Sequence, residues 1–303
     1  MTYNTMLPVV LLILCPAAQA ETSTSNWTFA NEFEAGYLYD SNVGLSQIDE
    51  NTTESDQALQ LRGKLQLGWQ ATEQLNISTS YQYQNKNYRD FSSFDQEITT
   101  LMADINYQLA WFKVGVSQHN ADAKVAHRDF LDFRQTSYYL ADLIGDSIYW
   151  RLGHQRLTKT LQDYPARNAA ASNYSADLFW FFHQGSRFVT FGYTHEDEVA
   201  ADAKFSYLGH QLRSSLNQTL DLWGHAQKLS LSVDYKNRDY SSAWLPNQAA
   251  RQDNVTTFEG QWQAPLSKHF TLAVTAKHTN SASTVEAADY RDTSAGVSLQ
   301  LEF

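Results

Sequence analysis

The stretch that decides the fold is Ser294-Ala295-Gly296-Val297-Ser298-Leu299-Gln300-Leu301-Glu302-Phe303. From Ala295 onward every second residue is apolar, and the residues between are polar or glycine. Successive side chains on a strand point to opposite faces, so this run builds one apolar face and one polar face. The same period recurs upstream. Leu59, Leu61, Leu65, Leu67 and Trp69 alternate with Gln60, Arg62, Lys64, Gln66 and Gln70. Leu229, Leu231, Val233 and Tyr235 alternate with Lys228, Ser230, Asp234 and Lys236. Segments of about ten residues that repeat this pattern are the signature of a transmembrane β-barrel.

Read this way, the chain predicts strands near 27–40, 57–70, 75–85, 97–109, 111–119, 134–143, 148–156, 173–182, 187–195, 205–219, 227–238, 254–263, 269–279 and 291–303. Two of them are blurred: Tyr138, Tyr139 and Leu140 break the alternation in one, and Leu178 to Phe182 is continuously apolar in the other. Closed bacterial barrels keep an even strand number. The expected fold is therefore all-β, a single closed antiparallel barrel of about fourteen strands within a range of twelve to sixteen. Connections alternate in length. Short ones fall at 71–74, 109–110, 144–147, 183–186, 221–226 and 264–268. Long ones fall at 41–56, 86–96, 120–133, 157–172, 196–204, 239–253 and 280–290. Short periplasmic turns and longer outer loops are expected of such barrels.

Composition agrees. Mean hydropathy is -0.47, and no later segment approaches the roughly eighteen consecutive apolar residues of a helical span. There are 17 Tyr, 16 Phe and 8 Trp against 5 Pro, which suits long strands with aromatic girdles. Trp27, Tyr37, Tyr39, Trp69, Tyr81, Tyr83, Tyr107, Trp150, Trp180 and Trp262 sit near strand ends. A soluble β-sandwich would also alternate. The aromatic positions and the terminal Phe303, the kind of residue barrel-assembly machinery reads, favour the membrane barrel. The formal net charge of -11 argues against a nucleic-acid partner.

Residues 1–20 read as a signal peptide, with the apolar run Leu7 to Leu14 followed by Ala18-Gln19-Ala20. Residues 21–303 then form one domain, in the outer membrane of a Gram-negative bacterium. Cys15 is the single cysteine, so the mature part has no disulfide.

The inward face is charged. It is expected to carry Glu32, Glu34, Arg62, Lys64, Asp104, Lys113, Arg151, Asp177, Arg187, Arg213, Asp234, Lys236, Glu259 and Lys277, with Lys228 and Glu302 nearer the ends. Both signs are interspersed, as in a solvated wall of neutralising pairs or a pathway with opposing patches. No catalytic constellation and no cofactor motif stands out. His183-Gln184-Gly185-Ser186 falls on a predicted turn with no acid to orient the histidine. His195-Glu196-Asp197-Glu198 opens a predicted outer loop, either as an exposed acidic run or as carboxylates for a divalent cation. A small repeat, Arg89-Asp90-Phe91, Arg128-Asp129-Phe130 and Arg238-Asp239-Tyr240, lies at predicted outer strand ends. It reads as a charged cap on an aromatic girdle or as a ring of arginines at the mouth.

The first strand ends in Tyr37-Leu38-Tyr39-Asp40-Ser41-Asn42-Val43. This segment resembles the opening strand of the surface lipoprotein assembly modifier family, the type XI secretion barrels. The resemblance implies a barrel of about fourteen strands closing on Phe303, and a surface protein as cargo. It covers the barrel only: members carry an N-terminal tetratricopeptide domain, and Glu21–Asn26 leaves no room for one here. Three roles follow as expectations. The resemblance points to a translocator for surface proteins, the charged lumen to a porin-like channel for small polar solutes, and the outer loops to a structural or adhesive protein.

Overall fold

The computed structural model describes residues 26–243 and 249–303. The predicted signal segment Met1–Ala20, with Cys15, lies outside them. The chain opens with β1 (Trp27–Asp40), followed by a small hairpin of β2 (Gly44–Leu45) and β3 (Glu50–Asn51). Thereafter come β4 (Asp56–Gln70), β5 (Leu75–Tyr88), β6 (Gln96–Gln108), β7 (Lys113–Val125), β8 (Arg128–Ile144), β9 (Ile148–Leu161) and β10 (Ala169–Phe182). The last six are β11 (Arg187–Ala200), β12 (Tyr207–Leu222), β13 (His225–Ala243), β14 (Ala250–Pro265), β15 (Phe270–Ser283) and β16 (Tyr290–Glu302). All but β2 and β3 join one closed antiparallel barrel of fourteen strands. The ring closes where β1 pairs with β16, from Glu32 opposite Glu302 to Asp40 opposite Ser294.

Which way the faces point follows from exposure. On β4, Leu59 is 61% exposed and Leu61, Leu65 and Leu67 are at least 40% exposed, while their neighbours Arg62 and Lys64 are half-buried. Large apolar groups left outside a closed sheet are stable only against lipid. From Trp69 to Leu59 a strand climbs ten steps of about 3.3 Å, which with the usual tilt gives an apolar band about 25 Å tall. Trp27 stacks on Trp69 at the short-turn end, with ring centroids 5.3 Å apart. Tyr37, Tyr39, Tyr83, Tyr138, Tyr174 and Tyr193 stand outward at the other end.

All fourteen expected strands are present, but most run further toward the long-loop end than alternation indicates. β7 reaches Val125 and β8 begins at Arg128, so the expected long loop 120–133 shrinks to the turn Ala126-His127, both left-handed (φ 48° and 62°). The cause is visible on the outer surface. There Thr136 donates to Gln118 (2.6 Å), Gln118 donates to Asn120 (2.8 Å), and Arg134 pairs with Asp132 (3.0 Å). These strand ends stand above the lipid, where both faces meet water and the apolar half of the pattern disappears. In the blurred segment of β8, Tyr138 and Leu140 point outward and Tyr139 is buried in the lumen.

Identical substitutions at adjacent positions of β4 should therefore part company. Leu65→Arg is expected to destabilise the folded barrel by about 2–4 kcal/mol, and Gln66→Arg by well under half of that. Urea titrations of folding into lipid vesicles check this; equal losses at both positions would reverse the assignment of faces.

Candidate functional site

The segment after β1 does not extend into solvent. Loop L1 (residues 41–55) turns into the barrel, and the Asp40–Val43 segment builds the turn. Asp40, fully buried, accepts from Tyr88 Oη (2.7 Å) and from the Asn42 N–H (3.3 Å). Ser41 donates to Asp292 (3.2 Å) and accepts from the Thr293 N–H (2.7 Å). Asn42 donates to the Arg291 carbonyl (3.2 Å) and accepts from the Thr53 N–H (2.9 Å). Val43 closes the base of the loop through backbone bonds with Glu54 and Thr52.

Beyond the turn, L1 carries an apolar face. Val43 and Leu45 are buried with Leu38, Ala58, Tyr88 and Phe94, and Ile48, Phe91 and Val125 pack against that cluster. Burying Val43 and Leu45 stabilises the seated loop by roughly 1.5–3 kcal/mol each. Tyr37 and Tyr39, by contrast, face outward, so the family-like segment divides between the girdle and the loop hinge.

The tip of L1 is Asp49, held in the left-handed region at φ 57°. Its Oδ2 accepts from Arg167 Nη2 (2.6 Å) and Arg251 Nη1 (2.8 Å), and its Oδ1 from Arg251 Nη2 (2.9 Å). Arg167 also donates to the carbonyls of Gln47 (3.0 Å) and Ile48 (3.3 Å). Arg251 is shared with Asp253, whose Oδ2 lies 2.7 Å from Nη2. Arg167 lies on L4, the loop between β9 and β10 (residues 162–168). Six barrel strands separate L1 from L4 one way round and eight the other, so L1 reaches the opposite wall. Asn51 adds a bond to the Ala287 carbonyl (3.0 Å), in the loop before β16. Burial pushes the Asp49 carboxyl up, but hydrogen bonds and charge from Arg251 and Arg167 outweigh it and hold it below its ordinary value of 3.8.

Below L1 the lumen wall is charged. Thirteen of the fourteen residues expected there are on inward positions. Glu34 pairs with Arg62 (3.0 Å), Asp177 with Arg213 (3.7 Å), and Asp234 with Lys236 (3.8 Å) and Gln211. Glu32 faces Lys64 and Glu259 faces Lys277 in register. Tyr139 donates to both Asp104 oxygens (3.0 Å), and Arg151 lies 3.8 Å from the Tyr139 ring centre. Gly115 permits that arrangement, since a Cβ there would sit 2.2 Å from the ring. Lys113 is inward near the short-turn end of β7.

Arg187 is the exception. It shares its strand face with Phe191 and Tyr193, both outward, and lies over the Phe182 ring at the short-turn end. The strand starts at Arg187, where a cation at the edge of the apolar band can reach water without entering the lumen.

The Arg-Asp-aromatic repeat does not form a ring. Arg89 and Asp90 lie in the turn after β5, where the Asp90 N–H donates to Asp56 (2.8 Å). Arg128 and Asp129 start β8, with Asp129 3.5 Å from Lys124. Arg238 points into the lumen, 3.5 Å from Glu196 and over the Tyr207 ring, while Asp239 accepts from Gln252 on the outer face (3.0 Å). The His195–Glu198 run is not a loop either. It lies within β11, with Glu196 and Glu198 buried in the lumen and His195 and Asp197 on the other face. Lys159 approaches Glu198 to 2.5 Å. At 183–186, Ser186 Oγ donates to the His183 carbonyl (2.7 Å), a turn bond that leaves no nucleophile–base pair. Among the described residues no group of three or more metal-ligating side chains is assembled.

Asp49, Arg167 and Arg251 were not among the residues the sequence singled out. The one signal was apolar: Val43, Leu45 and Ile48 in a loop expected to be hydrophilic.

With this geometry in place, similarity can be weighed. Residues 156–303, just under half of the chain, match the family model described as "Putative beta-barrel porin 2". That is a model of porins rather than of the assembly modifiers that the first strand resembles. OmpT of Vibrio cholerae, as expressed in its outer membrane, is similar in fold, with a TM-score of 0.53 at 8% identity over 93% of this chain and 99% of that one. An anion-selective porin from Comamonas acidovorans gives 0.51 at 10% identity over 91% and 99%. No curated protein matches significantly in sequence. The chain thus has the fold of outer-membrane β-barrels, and part of it has the sequence character of a porin family.

The L1 pin should be insensitive to mild acid. A carboxyl lowered in the folded state contributes stability that is present above its ordinary value of 3.8 and is lost as the pH falls through its lowered value. Protease added to vesicles holding the barrel should cut L1 no faster at about pH 5 than at about pH 7. Asp49→Ala should raise cleavage severalfold at both. Acceleration of wild-type cleavage at pH 5 would contradict the pairing.

Proposed function

We propose that the protein is a non-enzymatic outer-membrane channel for passive diffusion of small polar solutes, narrowed at its outer mouth by L1. One observation carries the reading: a loop is folded inward and pinned to the opposite wall, above a lumen lined by charges of both signs. Fourteen strands enclose more space than wall side chains fill, so water occupies the interior. L1 restricts the width of what passes, and interspersed charges favour polar over apolar solutes. The matched porin family model supports the same class. In this reading the outward apolar band meets outer-membrane lipid, and the alternating strand ending on Phe303 is what barrel-assembly machinery recognises.

The translocator reading keeps one support, the likeness of Tyr37–Val43 to the opening strand of the assembly modifiers. The hinge formed by Asp40–Val43 gives that segment a role in seating L1 that needs no protein cargo.

Planar-bilayer recording separates the two. The purified barrel should give steady ohmic current, and deletion of residues 44–51 should raise unit conductance severalfold. Silence from both proteins, with loss of one surface protein in a deletion strain, would overturn the channel in favour of the translocator.

A further inference from the structure

The pin on Asp49 has the form of a ligand site. Arg251 presents two N–H groups to the two oxygens of one carboxylate, and Arg167 adds a third contact to Oδ2. Such forked, charge-assisted pairs are the usual means by which a protein holds a planar carboxylate. Both arginines are set on aromatic faces. Arg167 lies 4.2 Å from the ring centre of Phe205, and Arg251 lies 4.6 Å from that of Tyr240. Arg251 is further oriented by Asp253, which bonds its Nε and Nη2. Side-chain exposure is 4% for Arg251, 16% for Arg167 and 11% for Asp49, so the group is largely shielded from water. The two arginines come from β14 and L4, parts of the barrel that hold them apart from L1. The cradle of two guanidinium groups therefore belongs to the wall, while Asp49 and the Gln47 and Ile48 carbonyls that Arg167 also holds belong to the loop.

Charge bookkeeping points to what else fits. Among the described residues, the carboxylates paired with Arg167 and Arg251 are Asp49 and Asp253. If Asp49 leaves, one negative charge with two planar oxygens restores the balance. We propose that Asp49 is a tethered stand-in, and that a carboxylate-bearing solute binds Arg167 and Arg251 in its place, releasing the tip of L1. The inference rests on the reading of the barrel as a solute channel and deepens it by naming the solute class. No bond is made or broken; one carboxylate replaces another. Release of the tip does not unseat the loop, because the Asp40–Val43 hinge and the apolar cluster around Val43 and Leu45 are separate anchors. A solute must compete with a carboxylate tethered at an effective concentration in the millimolar range. Apparent affinity for the wild type is scaled down to the fraction of time the cradle is free of Asp49.

Calorimetric titration of succinate into the detergent-purified, heat-modifiable full barrel tests this. Asp49→Ala should bind succinate at least about tenfold more tightly than wild type. Asp49→Asn, which keeps the shape and loses the charge, should fall between them. Asp49→Ala combined with Arg251→Gln should lose binding, with unchanged heat-modifiable mobility showing that the barrel is folded. Equal affinity in wild type and Asp49→Ala, or no binding to Asp49→Ala, overturns the proposal. Sulfate binding Asp49→Ala as tightly as succinate overturns the assignment to carboxylates. Bilayer current is read separately. A gain in binding without any conductance sinks the channel and leaves the cradle standing, and conductance without the gain does the reverse.

Discussion

Everything in this barrel depends on the absence of hydrogen-bonding partners in lipid. An unpaired backbone N–H or carbonyl in hydrocarbon costs several kcal/mol, so no strand can be left at an edge. The pairing of β1 with β16 is what meets that demand, and it joins the first and last strands of the barrel. Once the ring is closed, the period of two follows, since one face must suit acyl chains and the other water. The charged residues that look out of place in a membrane protein are where the constraint puts them, facing inward and mostly opposite a counter-charge or a polar partner.

The same constraint explains what could be read from sequence. Lipid writes the alternation, so strands were legible wherever lipid touches them. Leu59 to Trp69 on β4 and Ala295 to Phe303 at the C-terminus are clear because one face is in hydrocarbon. Above the membrane that pressure ends, and β7 and β8 continue for several residues with polar groups on their outer side. The same holds for β11, whose His195–Glu198 segment reads as an acidic loop and is a strand. Arg187 reads as a lumen residue in the sequence, yet strand parity assigns it to the outside with Phe191. At the rim of the apolar band, charge no longer indicates a face.

The L1 site lay beyond such reading for a different reason. Asp49 lies 118 residues from Arg167 and 202 from Arg251, and all three sit in or beside loops, with no local pattern to link them. Their meeting is set by the ring order, which places L4 across the mouth from L1. The local signal is the apolar Val43, Leu45 and Ile48 in a loop; Asp40, Ser41 and Asn42 are of the type whose short side chains bond backbone in turns. What the hinge is for appears only when the apolar Val43 and Leu45 are seen to pack inside.

The partners of the hinge carry a consequence for how the chain matures. Ser41 and Asn42 bond to Asp292, Thr293 and Arg291, and Asn51 bonds to Ala287, spans of 236 to 252 residues. These contacts do not exist until the first and last strands have met. L1 therefore completes its seating only once the ring has been sealed, and these bonds lie across the junction of β1 and β16. Contacts of such long range are slow to form because their closure entropy is met late. The loop that narrows the finished barrel thus also rivets its final joint, and an unsealed chain would present an open mouth.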